Sequence, residues 1–263
     1  MWLSPEIFFP IERWTMNNFN QEVTDRIESN GSDVSLRSGA RGFMLPSLSA
    51  QYSYNFSWMG RPIIQYPQDM VAIQEIIWAV QPDLIVETGI AHGGSLIFSA
   101  AMLELNAACG GPADAAVLGV DIDIRPHNRS AIEAHPMARR ITMIQGSSIA
   151  PEIIEQVRCT AVGKQRVMVF LDSNHTHAHV LAELEAYASL AAVGSYCVVF
   201  DTIVEDMPAE MFANRPWGPG APKTAVLQYL LTHPEFQNDL SIEQKLMIAV
   251  ATVRVPEACS KVH

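Results

Sequence analysis

Residues 84–95, Leu-Ile-Val-Glu-Thr-Gly-Ile-Ala-His-Gly-Gly-Ser, constrain the fold of this chain more than any other segment. A β-branched apolar run ends in an acid, Glu87, and a glycine, Gly89. Gly93 and Gly94 then open a segment that reads as a helix over Leu96–Leu105. A strand that passes through glycines into a helix lets backbone N–H groups and the positive helix terminus approach a ligand closely. The dinucleotide fingerprint G-x-G-x-x-G is not met, because Ile90, Ala91 and His92 separate Gly89 from Gly93. Without a ligand the same letters make an ordinary tight strand-to-helix turn, so the reading depends on the strands downstream.

Strand–helix units surround this turn in the sequence. A helix with apolar positions Val71, Ile73, Ile76, Ile77 and Val80 is expected over Asp69–Val80, before the strand at 84–88. Further strands are expected at 117–121, 141–145, 167–172 and 196–201, with helices between them that include 151–160 and 176–190. Short, continuously apolar strands alternating with helices imply a mostly parallel sheet covered on both faces. A helix from Pro222-Lys223 to Thr232 and two closing runs, around Leu240–Ile242 and at Lys245–Val255, would finish a seven-stranded sheet with a terminal hairpin. Residues 1–69 lack this rhythm. They carry a polar turn, Asn30-Gly31-Ser32-Asp33, and the spaced aromatics Tyr52, Tyr54, Phe56, Trp58 and Tyr66. They are expected to form an arm or small subdomain that packs on a neighbour or folds over a site, leaving 70–263 as the ligand-binding α/β domain.

The chain has 263 residues, 49% hydrophobic and 17% charged, enough apolar material for one large α/β domain with an appendage. Its net charge is −11 and no Lys/Arg cluster is dense enough to track a phosphate backbone, which argues against a nucleic-acid partner. No apolar run approaches the roughly 18–20 residues of a membrane helix. Glu6 and Glu12 flank the N-terminal aromatics without a basic region, so no signal peptide is expected. Cys109, Cys159, Cys197 and Cys259 are dispersed, as reduced thiols are in a cytoplasmic enzyme.

The acid two residues before Gly89, with the spacing to Gly93-Gly94, is the usual opening of S-adenosylmethionine (SAM) methyltransferases. There a carboxylate meets the cationic amino-acid end of the cofactor. Val117–Asp123 reinforces this reading: Asp121, at the tip of the next strand, can accept both ribose hydroxyls, with Asp123 as the fallback. Either acid could instead cap the helix that starts near His127. Gly146-Ser147-Ser148 comes after the third strand, where such folds pass the adenine ring.

Asp172 and Asp201 end the fourth and fifth strands. Neighbouring strands lie about 4.8 Å apart, so the two carboxylates should converge beside the methyl group. They suit a hard cation such as Mg²⁺, which would bind the substrate hydroxyl and lower its pKa; otherwise each merely caps its helix. Directly after Asp172 come His175, His177 and His179. His175, nearest the expected site, is the candidate general base, with His177 second and His179 expected to pack or cap.

Together, Trp58–Pro62, Val86–Gly89, Gly119–Asp123, Leu171–His177 and Arg215–Gly220 resemble the cephalosporin hydroxylase/rhamnosyl O-methyltransferase family. The resemblance covers most of the chain beyond residue 50. It implies a class I, Rossmann-like SAM-methyltransferase fold with an N-terminal appendage, and methyl transfer rather than hydroxylation. Carried over by residue, it implies SAM contacts at Glu87, Gly89, Gly93, Gly94, Ser95 and Asp121. Related metal-dependent O-methyltransferases place one acid after the fourth strand and an adjacent polar pair after the fifth. Asp172 and Asp201 match, but Phe200 stands at the first position of the pair and cannot ligate; Glu205 or Asp206 would have to supply the missing oxygen.

The expected activity is therefore SAM-dependent, Mg²⁺-assisted O-methylation of a sugar or other natural-product hydroxyl by a homo-oligomer, as is usual in the family. The competing readings are a metal-dependent hydrolase or a hydroxylase using the histidine cluster, and a binding module without turnover.

Overall fold

The computed structural model describes residues 10–206, 208, 221–246 and 251–254. Five parallel strands form the centre of the main sheet: β3 (Leu84–Thr88), β4 (Ala116–Asp121), β5 (Ile141–Gln145), β6 (Val167–Leu171) and β7 (Tyr196–Val199). Two short antiparallel strands, β8 (Gln237–Asn238) and β9 (Ala251–Arg254), add at one edge, and the order across the sheet is β5-β4-β3-β6-β7-β9-β8. The chain runs outward from β3 through β4 to β5, then crosses back to β6 on the other side of β3. That reversal opens a crevice outside the carboxyl ends of β3 and β6, where α/β sheets bind their ligands.

Strand alternation sorts the apolar residues onto two faces. Ile85, Val117, Met168, Phe170 and Val198 join one core cluster, which also holds side chains of α3 (Pro67–Val80) and α4 (Gly94–Ala108). Leu84, Val86, Leu118, Val169 and Val199 join the second, beneath α6 (Pro151–Ala161), α7 (His177–Tyr187) and α8 (Pro222–Thr232). All five residues of β3 and of β6 are buried, which is why β6 reads as an unbroken apolar run and β3 as one up to Glu87.

The closing hairpin differs from the sequence expectation. Leu240–Ile242 is not a strand of the hairpin but the start of a helix, α9 (Leu240–Leu246). Asp239 turns the chain: its Oδ1 accepts from Ser241 N at 3.0 Å, and its carbonyl accepts from Ile242 N at 3.2 Å. The strand partner of β9 is instead Gln237–Asn238.

The N-terminal region begins with two helices, α1 (Pro10–Ser32) and α2 (Val34–Ser49), broken only at Asp33, whose side chain accepts from Leu36 N at 2.9 Å. A hairpin comes next, of β1 (Phe56–Trp58) and β2 (Arg61–Ile63), turned by Met59 (φ 45°) and Gly60 (φ 83°). Trp58 packs edge-on against Phe98 of α4 at 4.9 Å, and Ile63 is 2% exposed within the first core cluster, so the hairpin is fastened to the α/β core. Among the described residues no helix is long and apolar enough to cross a membrane.

Candidate active site

Glu87, the penultimate residue of β3, is 2% exposed. Ser95, in the first turn of α4, donates to its Oε1, while Oε2 has no hydrogen-bond partner among the described residues. Burial pushes the Glu87 carboxyl up to about 7, against the lowering effect of hydrogen bonds from Ser95 and Ser99. A buried carboxylate oxygen without a donor is costly unless a ligand supplies one.

The glycines are required sterically. Gly89 has φ +91°, and a Cβ there would lie 2.0 Å from the Asp172 carbonyl oxygen. A Cβ on Gly94 would lie 2.1 Å from the Pro62 carbonyl, because the hairpin backs onto the start of α4. The turn is tied from outside as well. Arg61 Nε donates to the His92 carbonyl at 3.0 Å, Arg61 Nη2 to Asn128 Oδ1 at 3.0 Å, and Asn128 Nδ2 to the Ala91 carbonyl at 2.9 Å. Asp121 braces it from within: Oδ2 accepts from Ile90 N at 2.7 Å and Ala91 N at 3.2 Å, and Oδ1 from Asp123 N at 2.9 Å. A carboxylate offers about four acceptor positions, so with three taken Asp121 has capacity for one ribose hydroxyl rather than both. Asp123 is exposed, 3.8 Å from Arg125.

Ser148 is buried, and its hydroxyl meets His179 Nε2 at 3.0 Å. His179 is also 3.2 Å from Ser173 Oγ, which donates to Glu183 Oε1 at 2.7 Å. His179 is thus a bridge between the loop after β5 and the loop after β6. Ser147 lies in the same loop after β5, and its carbonyl accepts from Ala150 N at 2.9 Å.

Asp172 and Asp201 lie just past the ends of β6 and β7, neighbouring parallel strands. Ligand atoms of Asp172, His175 and Asp201 all lie within 4.8 Å of one another, with His175 Nε2 3.2 Å from Asp201 Oδ2. Burial first, then the Asp201 and Glu87 carboxylates, push the Asp172 carboxyl well above the usual range, and a hydrogen bond from Gln65 opposes them. Asp201 adopts φ +57°, a left-handed conformation that costs a non-glycine residue about 1 kcal/mol. The strain falls on a residue of the cluster. Phe200, beside it, is 8% exposed and packs edge-on against Phe170 at 6.1 Å.

Other candidates are turned to structural tasks. Nδ1 of His177 is 2.8 Å from Thr224 Oγ1 and Nε2 is 2.9 Å from Gln228 Oε1, so this ring joins α7 to α8 rather than Asp172. Glu205 Oε1 accepts from Ala221 N at 2.7 Å and Thr224 N at 2.9 Å, capping α8. The side chain of Asp206 and residues 215–220 lie outside the described residues. Because His175, His177 and His179 face different partners, they do not form the single metal cluster that a hydrolase or hydroxylase reading needs.

Two adjoining cavities open here. One is bounded by the glycine turn, Pro62–Gln65 and Asp172; the other by Glu87, Ile73, Phe98, Phe170 and Phe200. They share Ile63, Gln65, Ser95 and Asp172. Gln65 was not singled out by the sequence; its only signal is its place in the aromatic segment ending at Tyr66.

Residues 50–254 match the family model for rhamnosyl O-methyltransferase/CmcI. The rhamnosyl O-methyltransferase of Mycobacterium leprae (strain TN) is 31% identical over 201 residues, covering 74% of this chain and 80% of that protein. Among solved structures, apo CmcI superposes with a TM-score of 0.53 at 18% identity, over 78% of each chain. CmcI with Mg and SAM superposes with a TM-score of 0.52 at 18% identity, over 76% of each chain. At that identity the structural likeness speaks for the fold.

Proposed function

Since the chain belongs to the rhamnosyl O-methyltransferase/CmcI family, we propose that it is a SAM-dependent O-methyltransferase acting, with Mg²⁺ assistance, on a hydroxyl of a sugar or other natural-product scaffold. The observation that carries this reading is the position of Asp172. It belongs to the Asp172–His175–Asp201 group and also lines the cavity under the glycine turn. Groups able to take a proton and hold a cation therefore stand beside the cofactor pocket.

The residues fit both groups. Oε2 of Glu87 is a buried acceptor awaiting a donor, which suits a cationic ammonium. Gly89, Gly93 and Gly94 let the turn pack closely on Asp172, Ile132 and Pro62, Ser95 holds Glu87, and Asp121 faces the turn. Asp172 and Asp201 would hold a hard cation, in a pocket whose clustered carboxylates repel one another without one. When bound, SAM supplies an activated methyl group and Mg²⁺ lowers the pKa of the acceptor hydroxyl. His175, oriented by Asp201, is placed to take the proton of the acceptor hydroxyl. The cavity walls of Gln65, Ile73, Phe98 and Phe200 position the acceptor, which is where much of the rate gain in a two-substrate transfer arises.

In the same reading, residues 70–263 hold the cofactor, and residues 1–69 form an arm that supplies one wall of the site through Pro62–Gln65. The arm exposes Val34, Leu36 and Phe43, which favours a homo-oligomer built through it. A cytoplasmic location goes with this reading.

Glu87 gives the cofactor assignment a pH signature. Its carboxyl titrates near 7 and must be ionised to meet a cation, so SAM affinity should rise between pH 6 and pH 8 and level off above. Glu87→Gln should weaken binding at pH 8 by roughly tenfold or more, the scale of a charged hydrogen bond, and flatten the pH dependence. Calorimetric titration across this range tests it; wild-type affinity that falls with pH would contradict the assignment.

A further inference from the structure

Asp172 and Asp201, with His175 beside them, supply two carboxylates for a cation. Phe200, next to Asp201, offers no ligand atom and packs on Phe170, and Glu205 is spent on the first turn of α8. The structure offers a carboxylate from a different element. Asp69, in the first turn of α3, is 9% exposed, and its Oδ1 has no hydrogen-bond partner among the described residues.

Its neighbours along the chain show where it sits. Three residues before it, Tyr66 packs with Met44 against Ile203, just past Asp201. Four residues after it, Ile73 shares a cavity wall with Phe200, just before Asp201. Asp69 lies on the same face between them, and so opposite Asp201. The Tyr66 hydroxyl is tied to Ser47 of α2 by a 2.8 Å hydrogen bond. Burial, and secondarily the Asp201 carboxylate, push the Asp69 carboxyl up to about 8. A first-turn acid that only complemented its helix dipole would be solvated; this one is enclosed against a second acid with no donor on Oδ1.

We propose that Asp69 belongs to the cation site, adding a third carboxylate to those of Asp172 and Asp201. The assignment rests on the cation reading of Asp172 and Asp201. Asp69 lies outside the group whose ligand atoms fall within 4.8 Å of one another, so it acts through the water shell of the ion. Mg²⁺ and Mn²⁺ keep several waters, and a buried carboxylate facing that shell accepts their hydrogen bonds. The same chemistry selects hard, hydrated divalent ions.

Mn²⁺ is the probe, titrated into the full chain and monitored by the loss of the free-ion paramagnetic resonance signal. Melting temperatures are measured in parallel with chelator present. Asp69→Asn is expected to weaken Mn²⁺ binding by about tenfold to a hundredfold, the range for outer-shell partners. It should leave SAM affinity within twofold, and it should not lower the metal-free melting temperature. Asp69→Ser should behave alike. Wild-type binding with unchanged affinity in both variants would overturn the role of Asp69 and leave the cation site standing. No binding by the wild-type chain would overturn the cation reading, and this assignment with it. A lowered metal-free melting temperature in both variants would make Asp69 a structural partner and overturn the proposal.

Discussion

Asp172→Asn is expected to reduce turnover by roughly 10³-fold, in the range for loss of a group that acts on a transferred proton or its cation, while SAM affinity changes little. Asparagine keeps the size of the side chain, and the backbone bond from Asp172 N to the Thr88 carbonyl at 2.9 Å is untouched. What is lost is the charge that Asp172 contributes between Glu87 and Asp201. Removing one of three crowded carboxyls should also raise the melting temperature without metal, because burial and its neighbours disfavour ionised Asp172 in the folded state. His177→Ala provides the contrast. It breaks contacts to Thr224 and Gln228 and should cost about 1–2 kcal/mol of stability, with turnover near wild type. Steady-state kinetics and calorimetric SAM titration on both variants test this; turnover within tenfold of wild type for Asp172→Asn would remove the residue from the mechanism.

Gly89→Ala should be the most damaging single change to the cofactor pocket. The added carbon would sit 2.0 Å from a backbone oxygen in a residue at φ +91°, and backbone cannot swing away as a side chain can. Either β3 and β6 separate at their carboxyl ends or the turn is rebuilt, and both outcomes destroy the SAM pocket. A loss of SAM affinity beyond roughly a hundredfold is expected. Gly93→Ala is the informative partner. Its Cβ would meet Ile132 Cδ1 at 2.3 Å, the far end of a flexible side chain, so at φ +81° it should be milder. Melting curves and SAM titration rank the two. Equal, small effects would mean that the turn is not the cradle.

β6 and β7 were legible because each is an unbroken apolar run, and Asp172 and Asp201 stand out as acids after such runs. Adjacent parallel strands then bring them together with no further information. Which histidine turns inward was not legible. α7 begins at His177, and from there the helical period rather than strand alternation sets direction, sending His177 to α8 and His179 to Ser148. Glu205 looked like a ligand because it follows Asp201 closely in the chain and could replace the oxygen missing at Phe200, yet the donors of α8 claim it. Leu240-Ser241-Ile242 imitates strand alternation over too short a span to reveal the cap at Asp239. Asp69 and Gln65 escaped notice because a polar residue near a helix start looks solvated; only the burial of Asp69 and the hydrogen bond from Gln65 to Asp172 show otherwise.

The most direct measurement incubates the purified chain with methyl-deuterated SAM, Mg²⁺ and a panel of rhamnosylated and other sugar-bearing acceptors, and detects products by mass spectrometry. The structure predicts acceptor-dependent conversion of SAM to S-adenosylhomocysteine, a deuterated methyl ether on one hydroxyl, and suppression of both by chelator and by Asp172→Asn. A chain that binds SAM yet transfers no methyl group to any hydroxyl acceptor, with or without the cation, would contradict it.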